Sequence, residues 1–203
     1  MNNIERLIVG EFNTNCYLLY DKLSKKTLII DPGDDPDYII SSILKLNLKP
    51  FGILATHGHF DHILGAFEVQ KAFKIPFMIN KNDLFLLKDM SKRAKYFLKF
   101  KSDPSPDVDK FLYDGLKIRI GDNEVKVIET PGHTPGSISL YIRSLKVIFV
   151  GDLVFEGKSL GRTDFKYSCY EDLIKSLKKI VALPINTVVY PGHGNSIKIK
   201  TLL

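Results

Sequence analysis

Histidine and cysteine are both rare in this chain. Five histidines and two cysteines are spread over 203 residues, and each scarcity narrows the reading. Cys16 and Cys169 are too few for a disulfide framework, so the cytoplasm is the simplest expected location. Cys16 lies in an apolar, strand-like run, where a small buried hydrophobe is the ordinary role. No apolar run approaches the ~20 residues that cross a bilayer. Met1–Arg6 lacks the basic-then-apolar layout of a signal peptide, so neither a membrane span nor a leader is expected.

What is present reads as a folded, globular chain. Hydrophobic residues make up 44% and charged residues 26%, a balance outside the disordered range. The length suffices for one well-buried core and falls short of two generous ones, so a single domain over 1–203 is expected. The net charge is +6, which can attract acidic small molecules or nucleic acid. The lysines are scattered, however, and the densest group, Lys88 to Lys101, has helical spacing with Leu and Phe between. That pattern is a solvated basic helix face, and a nucleic-acid partner is not expected.

Taken in order, Ile4–Val9, Thr14–Tyr20 and Thr27–Ile30 read as strands. The third is stopped by the turn Asp31-Pro32-Gly33-Asp34. Pro36 opens a helix to about Leu46. A strand over Phe51–Ala55 follows, then a helix from His62 to about Phe73 and a short strand over Pro76–Ile79. A helical pattern over Asn82–Phe100 is interrupted near Met90-Ser91. After the loop Lys101–Asp107 come hairpins Leu116–Ile120 with Val125–Glu129 and Ser137–Ile142 with Lys146–Val150. A helix over Tyr170–Ala182 and a strand over Thr187–Tyr190 close the chain. Strands followed by helices, twice over, suit an α+β or α/β layout in which two sheets pack face to face with helices outside.

The histidines are not spread evenly. His57-Gly58-His59-Phe60-Asp61-His62 places four potential metal ligands in six residues directly after an apolar strand. Alternate side chains of an extended segment share a face, so His57, His59 and Asp61 can converge. Turning into a helix at His62 brings that ring back toward a second ion. Imidazole with carboxylate suits zinc, iron or manganese and not calcium or magnesium. Three more apolar strands empty into small-residue turns presenting one ligand each: His133 in Pro131-Gly132-His133-Thr134-Pro135-Gly136, Asp152 after Gly151, and His193 in Pro191-Gly192-His193-Gly194. Glycine and proline let the backbone come close to an ion and hold the ligand stiffly. These positions account for every histidine in the chain.

This ligand order resembles the metallo-β-lactamase superfamily. Thr14-Asn15-Cys16-Tyr17, Asp31-Pro32-Gly33, Thr130 to Gly136, Gly161-Arg162-Thr163-Asp164 and Tyr190 to Gly194 are similar to stretches of its glyoxalase II-like hydrolases, the short bacterial ones above all. The resemblance implies a four-layer αββα sandwich with two divalent ions, zinc first and iron or manganese as alternatives, in a cleft at the sheet edges. It implies that His57, His59 and His133 bind one ion, that Asp61, His62 and His193 bind the other, and that Asp152 bridges them. A shared hydroxide would then attack a small anionic thioester such as S-lactoylglutathione, with Asp61 orienting the nucleophile and carrying a proton. Arg162 is the candidate for gripping a substrate carboxylate, against a plain loop ion pair with Asp164. Asp31 reads more as a turn residue than as a partner of a ligand histidine, and it can be both. The chain ends soon after His193, short of the C-terminal glutathione-binding region of glyoxalase II, which leaves the thiol carrier open. The rival within the superfamily is a mononuclear iron persulfide dioxygenase, disfavoured by Gly194 after the last histidine. A β-lactamase of the common binuclear kind is disfavoured because it carries Cys where Asp152 stands. An RNase Z-type nuclease lacks its substrate arm here, and a non-catalytic binding module would show a broken ligand set.

Overall fold

A computed structural model of the chain describes residues 4–99 and 101–203. Among the described residues the strands form two six-stranded sheets. The first holds β1 (Ile4–Val9), β2 (Thr14–Tyr20), β3 (Lys26–Ile30), β4 (Lys49–Leu54), β5 (Phe77–Ile79) and β6 (Val108–Phe111), in that spatial order. The second comprises β7 (Lys117–Ile120), β8 (Asn123–Glu129), β9 (Ile138–Ile142), β10 (Val147–Gly151), β11 (Val188–Pro191) and β12 (Ile197–Lys198), neighbour to neighbour. Strands joined by turns pair antiparallel. A helical crossover makes the pair parallel, as with β3 and β4 across α1 (Pro36–Lys45), and β10 and β11 across α5 (Tyr170–Val181).

Side-chain alternation sets the layers. Along β2, Cys16 and Leu18 enter a core beneath α1, α3 (Ala66–Phe73) and α4 (Leu84–Leu98), while Tyr17 and Leu19 point the other way. They meet Val125, Val127, Leu140 and Phe149 of the second sheet in the middle core. Ile148 and Val150 then face outward onto Leu173 and Ile180 of α5. Central strands buried on both faces read as continuous apolar runs. The result is a four-layer αββα sandwich. Among the described residues no helix is long and apolar enough to cross a membrane.

The expected elements are present with four differences. The helix expected from His62 to Phe73 is two, α2 (Phe60–Ile63) and α3. The interruption is at Gly65, whose N–H donates to the Pro32 carbonyl at 3.0 Å and which packs against the Asp31 to Asp34 turn. The interruption expected near Met90-Ser91 is absent, and α4 runs unbroken through them to Leu98. Met90 is fully buried there, and packing outweighs the weak local preference. The expected end of that helix at Phe100 lies outside the described residues. Strands β6 and β12 carry too little apolar pattern to be read in advance. Asp109 in β6 is held by accepting the Phe77 N–H at 2.8 Å.

Candidate metal centre

Strand β4 and Ala55-Thr56 deliver the His57 to His62 segment to one edge of the sandwich. The His133 loop follows β8, Asp152 follows β10, and His193 follows β11. All seven predicted ligands meet there. His57 Nε2 lies 3.1 Å from His59 Nδ1, which lies 2.9 Å from His133 Nε2. On the other side His62 Nε2 is 3.3 Å from His193 Nε2, and Asp61 Oδ2 is 3.5 Å from the same His193 nitrogen. Asp152 stands between the two groups, Oδ1 3.4 Å from His62 Nε2 and Oδ2 3.6 Å from His133 Nε2. Among the described residues three triads able to hold a metal ion result, each with its donor atoms within 4.8 Å of one another: His57-His59-His133, His57-His62-Asp152 and Asp61-His62-His193.

The arrangement fits metal ions on this geometry. Ligands ~2.0–2.1 Å from a tetrahedral ion stand about 3.3 Å apart, close to the spacings seen. A shared proton could satisfy one nitrogen–nitrogen contact, whereas a cation accepts lone pairs from all of them. Each ring also turns its outer nitrogen to a protein oxygen. His133 Nδ1 faces the Arg162 carbonyl at 2.8 Å and His193 Nδ1 the Phe12 carbonyl at 3.1 Å. Carbonyls only accept, so both rings carry Nδ1–H and aim a bare Nε2 inward. His62 Nδ1 is 3.0 Å from Asp31 Oδ2. Thr56 Oγ1 donates to that same oxygen at 2.6 Å, which leaves the hydroxyl to accept from His57 Nδ1 at 3.1 Å. His59 Nε2 meets the Tyr167 hydroxyl at 2.8 Å. Asp152 Oδ1 is buried and has no well-directed hydrogen-bond donor among the described residues.

The charge balance points the same way. Burial pushes His57 well below its usual range and His59 down to about 3, so these rings are neutral donors at pH 7. Burial also opposes charge on His62, but Asp152, Asp31 and Asp61 outweigh it and hold that ring well above its usual range. Burial alone would raise Asp152, yet the surrounding imidazoles, His62 foremost, hold it well below the usual carboxylate range. Two partly buried, ionised carboxylates, Asp61 and Asp152, draw positive charge to the cluster, and the raised His62 ring answers the same demand that a bound cation would meet.

Close backbone approach makes room for the cluster. A Cβ on Gly192 would run into Asp152 Oδ1 and the His62 ring, so only glycine fits between β11 and the ligands. Asp31 has φ 51°, a turn conformation that Asp tolerates. It therefore serves both as a turn residue and as a partner of His62. Arg162 is brought near by its carbonyl alone. Its exposed guanidinium makes a two-point pair with Asp164 at 2.9 and 2.7 Å, and lies over the Phe165 ring.

Two further participants carry no signal in the sequence. Asp83, fully buried just ahead of α4, accepts from Gly58 N at 2.8 Å, Gly136 N at 2.7 Å and Thr134 Oγ1 at 2.7 Å. It locks the His57 loop to the His133 loop. Tyr167 stacks on Phe165 and caps His59. Neither lies in a recognisable motif, and both act on partners remote in sequence.

The family model of the metallo-β-lactamase superfamily matches residues 9–193, a span holding all seven side chains. The chain belongs to that superfamily. It is 34% identical over 201 residues to the hydroxyacylglutathione hydrolase GloC of Haemophilus influenzae, covering 95% of this chain and 91% of that protein. Among solved structures, the BLEG-1 B3 metallo-β-lactamase is similar at 33% identity and a TM-score of 0.89, over 97% of this chain and 94% of that one. A di-iron-bound form of TTHA1623 is similar at 30% identity and a TM-score of 0.87, over 97% and 95%.

Proposed function

We propose that this protein is a binuclear metal-dependent hydrolase of a thioester, S-lactoylglutathione or a related hydroxyacyl thioester. His57, His59 and His133 would hold one divalent ion, Asp61, His62 and His193 the second, and Asp152 both. Zinc suits these donors, and so do iron and manganese. Bound there, a metal pair supplies Lewis acidity and brings the pKa of water toward ~7. The rest falls to the chain. Asp61 is kept ionised: burial opposes its charge, but contacts with His193 and His62 lower it below its usual range. Its carboxylate is therefore a proton acceptor and an orienting group beside the reacting carbonyl. Thr56, Asp31 and the carbonyls of Phe12 and Arg162 fix the rings, so the constellation is preorganised. A thiolate leaves without protonation, and every histidine is already used as a ligand.

The observation that carries this reading is the meeting of seven side chains from both sheets with each imidazole's outer nitrogen tied to oxygen. The kinship to GloC supplies the substrate class. The test is hydrolysis of S-lactoylglutathione by metal-reconstituted protein, with nitrocefin, sulfide-dependent oxygen uptake and RNA cleavage run beside it. Thioester turnover with none of the other three supports the assignment. Nitrocefin hydrolysis alone would make it a lactamase, oxygen uptake with one iron per chain a dioxygenase, and RNA cleavage alone a nuclease.

A further inference from the structure

Arg162, the loop arginine expected to grip substrate, is engaged with Asp164, while another cation lies against the tyrosine that caps His59. Helix α4 carries Arg93 and Phe97 four residues apart and hence on one face. The Arg93 guanidinium lies 5.7 Å over the ring of Tyr167, whose hydroxyl meets His59. Phe97 stacks on Phe60 with ring centres 5.6 Å apart and packs edge-on against Phe12, whose carbonyl holds His193. One helix face thus reaches both flanks of the metal centre. Beside it runs a groove of ≈ 620 Å³ bordered by Lys92, Arg93, Lys95 and Lys99 against a single acid, Asp89. The Lys and Arg side chains in ion pairs among the described residues are Lys71, Lys117, Arg162 and Lys175. None of the four groove cations is among them.

We propose that this face of α4, with Arg93 at its inner end, seats the anionic thiol carrier of the substrate. A carboxylate or phosphate of the carrier pairs with Arg93 while the reacting carbonyl sits at the metal centre. The cation–π contact with Tyr167 anchors the guanidinium beside the centre, and its N–H fork suits two-point pairing with a carboxylate or phosphate. The flanking lysines add an attractive field for the approaching anion. The exposed ring of Phe97 offers an apolar floor. This inference rests on the thioester-hydrolase reading and adds to it the residue that selects the carrier.

The experiment compares the metal-loaded protein with Arg93→Ala and Arg93→Lys on three thioesters. S-lactoylglutathione carries carboxylates, acetyl-coenzyme A carries phosphates, and S-acetyl-N-acetylcysteamine carries no charge. Binding of the thioethers S-methylglutathione and S-methyl-coenzyme A is followed by calorimetry. For whichever anionic carrier the protein prefers, Arg93→Ala is expected to raise KM and the thioether Kd about ten-fold or more, with kcat within about two-fold. Arg93→Lys recovers part of the loss, and turnover of the uncharged thioester is unchanged. An equal loss on the uncharged thioester would make Arg93 merely structural and overturn the proposal. So would no change in either variant, or a selective loss in Arg162→Ala in its place. Hydrolysis of none of the three thioesters by the unaltered protein would sink the hydrolase reading and this inference together. Failure confined to the Arg93 variants would leave the hydrolase reading standing.

Discussion

Asp31 carries several contacts at once: it accepts from the Thr56 N–H at 2.7 Å and from the Thr56 hydroxyl, and it faces His62. Removing it in Asp31→Ala frees His62 to rotate and loosens the hold on His57. Outer partners of ligand histidines are worth about 10–100-fold in metal affinity, and a loss of that size is expected in competition with a chromophoric chelator. Unchanged affinity would show that packing alone aims the rings. Gly192→Ala forces a methyl group against Asp152 and His62, and at least a ten-fold fall in metal affinity is expected, with circular dichroism showing the fold retained. The seven candidate ligand positions, whose side chains meet at one edge of the sandwich, were legible because histidine is scarce and each group follows an apolar strand. Asp83 was not, since its three donors, on Gly58, Thr134 and Gly136, come from two remote loops. The sequence allows Arg162 either a loop ion pair with Asp164 or a grip on a substrate carboxylate; the exposed pair is formed, and the second role is left to experiment.

At the scale of elements, Asp83 is what joins the two ligand-bearing loops. Asp83→Ala leaves two backbone N–H groups and a hydroxyl without their acceptor in a buried setting, a cost of about 3 kcal/mol or more, measurable by urea unfolding. Burial raises the Asp83 carboxyl above its usual range, against the lowering by Thr134, Gly58 and Gly136. A carboxyl raised on folding favours the folded state below its unfolded pKa of ~3.9 and loses that contribution as pH rises through its folded value. The stability margin over Asp83→Asn is therefore expected to be largest in acid and to shrink toward neutrality; a margin that grows with pH would contradict this. Strand boundaries were legible to within a residue or two where two-sided burial gave continuous apolar runs, as in β2 and β10. Helix ends were less so. The Gly65 interruption is set by the Asp31 to Asp34 turn, a contact invisible along the sequence, and the continuity of α4 by the burial of Met90.

At the scale of the whole molecule, the candidate metal centre gathers its side chains from both sheets, so ions bound there would act as a cross-brace at the sandwich edge. Ligands that bind only the folded state stabilise it by about 4 kcal/mol when present at 1,000 times Kd. For a chain of this size that corresponds to a Tm drop on the order of 10 °C on chelation, reversed by adding metal back. No change would mean that the ligand set is held by packing without help from metal. The four-layer order was legible from alternation and family resemblance together, since periodicity alone permits other α/β layouts. The most direct measurement is the metal content of reconstituted protein and of His193→Ala by elemental analysis, with thioester turnover followed in parallel. Two ions per chain are predicted, falling to about one in the variant with turnover down at least 100-fold. One ion or none in the unaltered protein, or an unchanged count after His193→Ala, would contradict a shared binuclear centre.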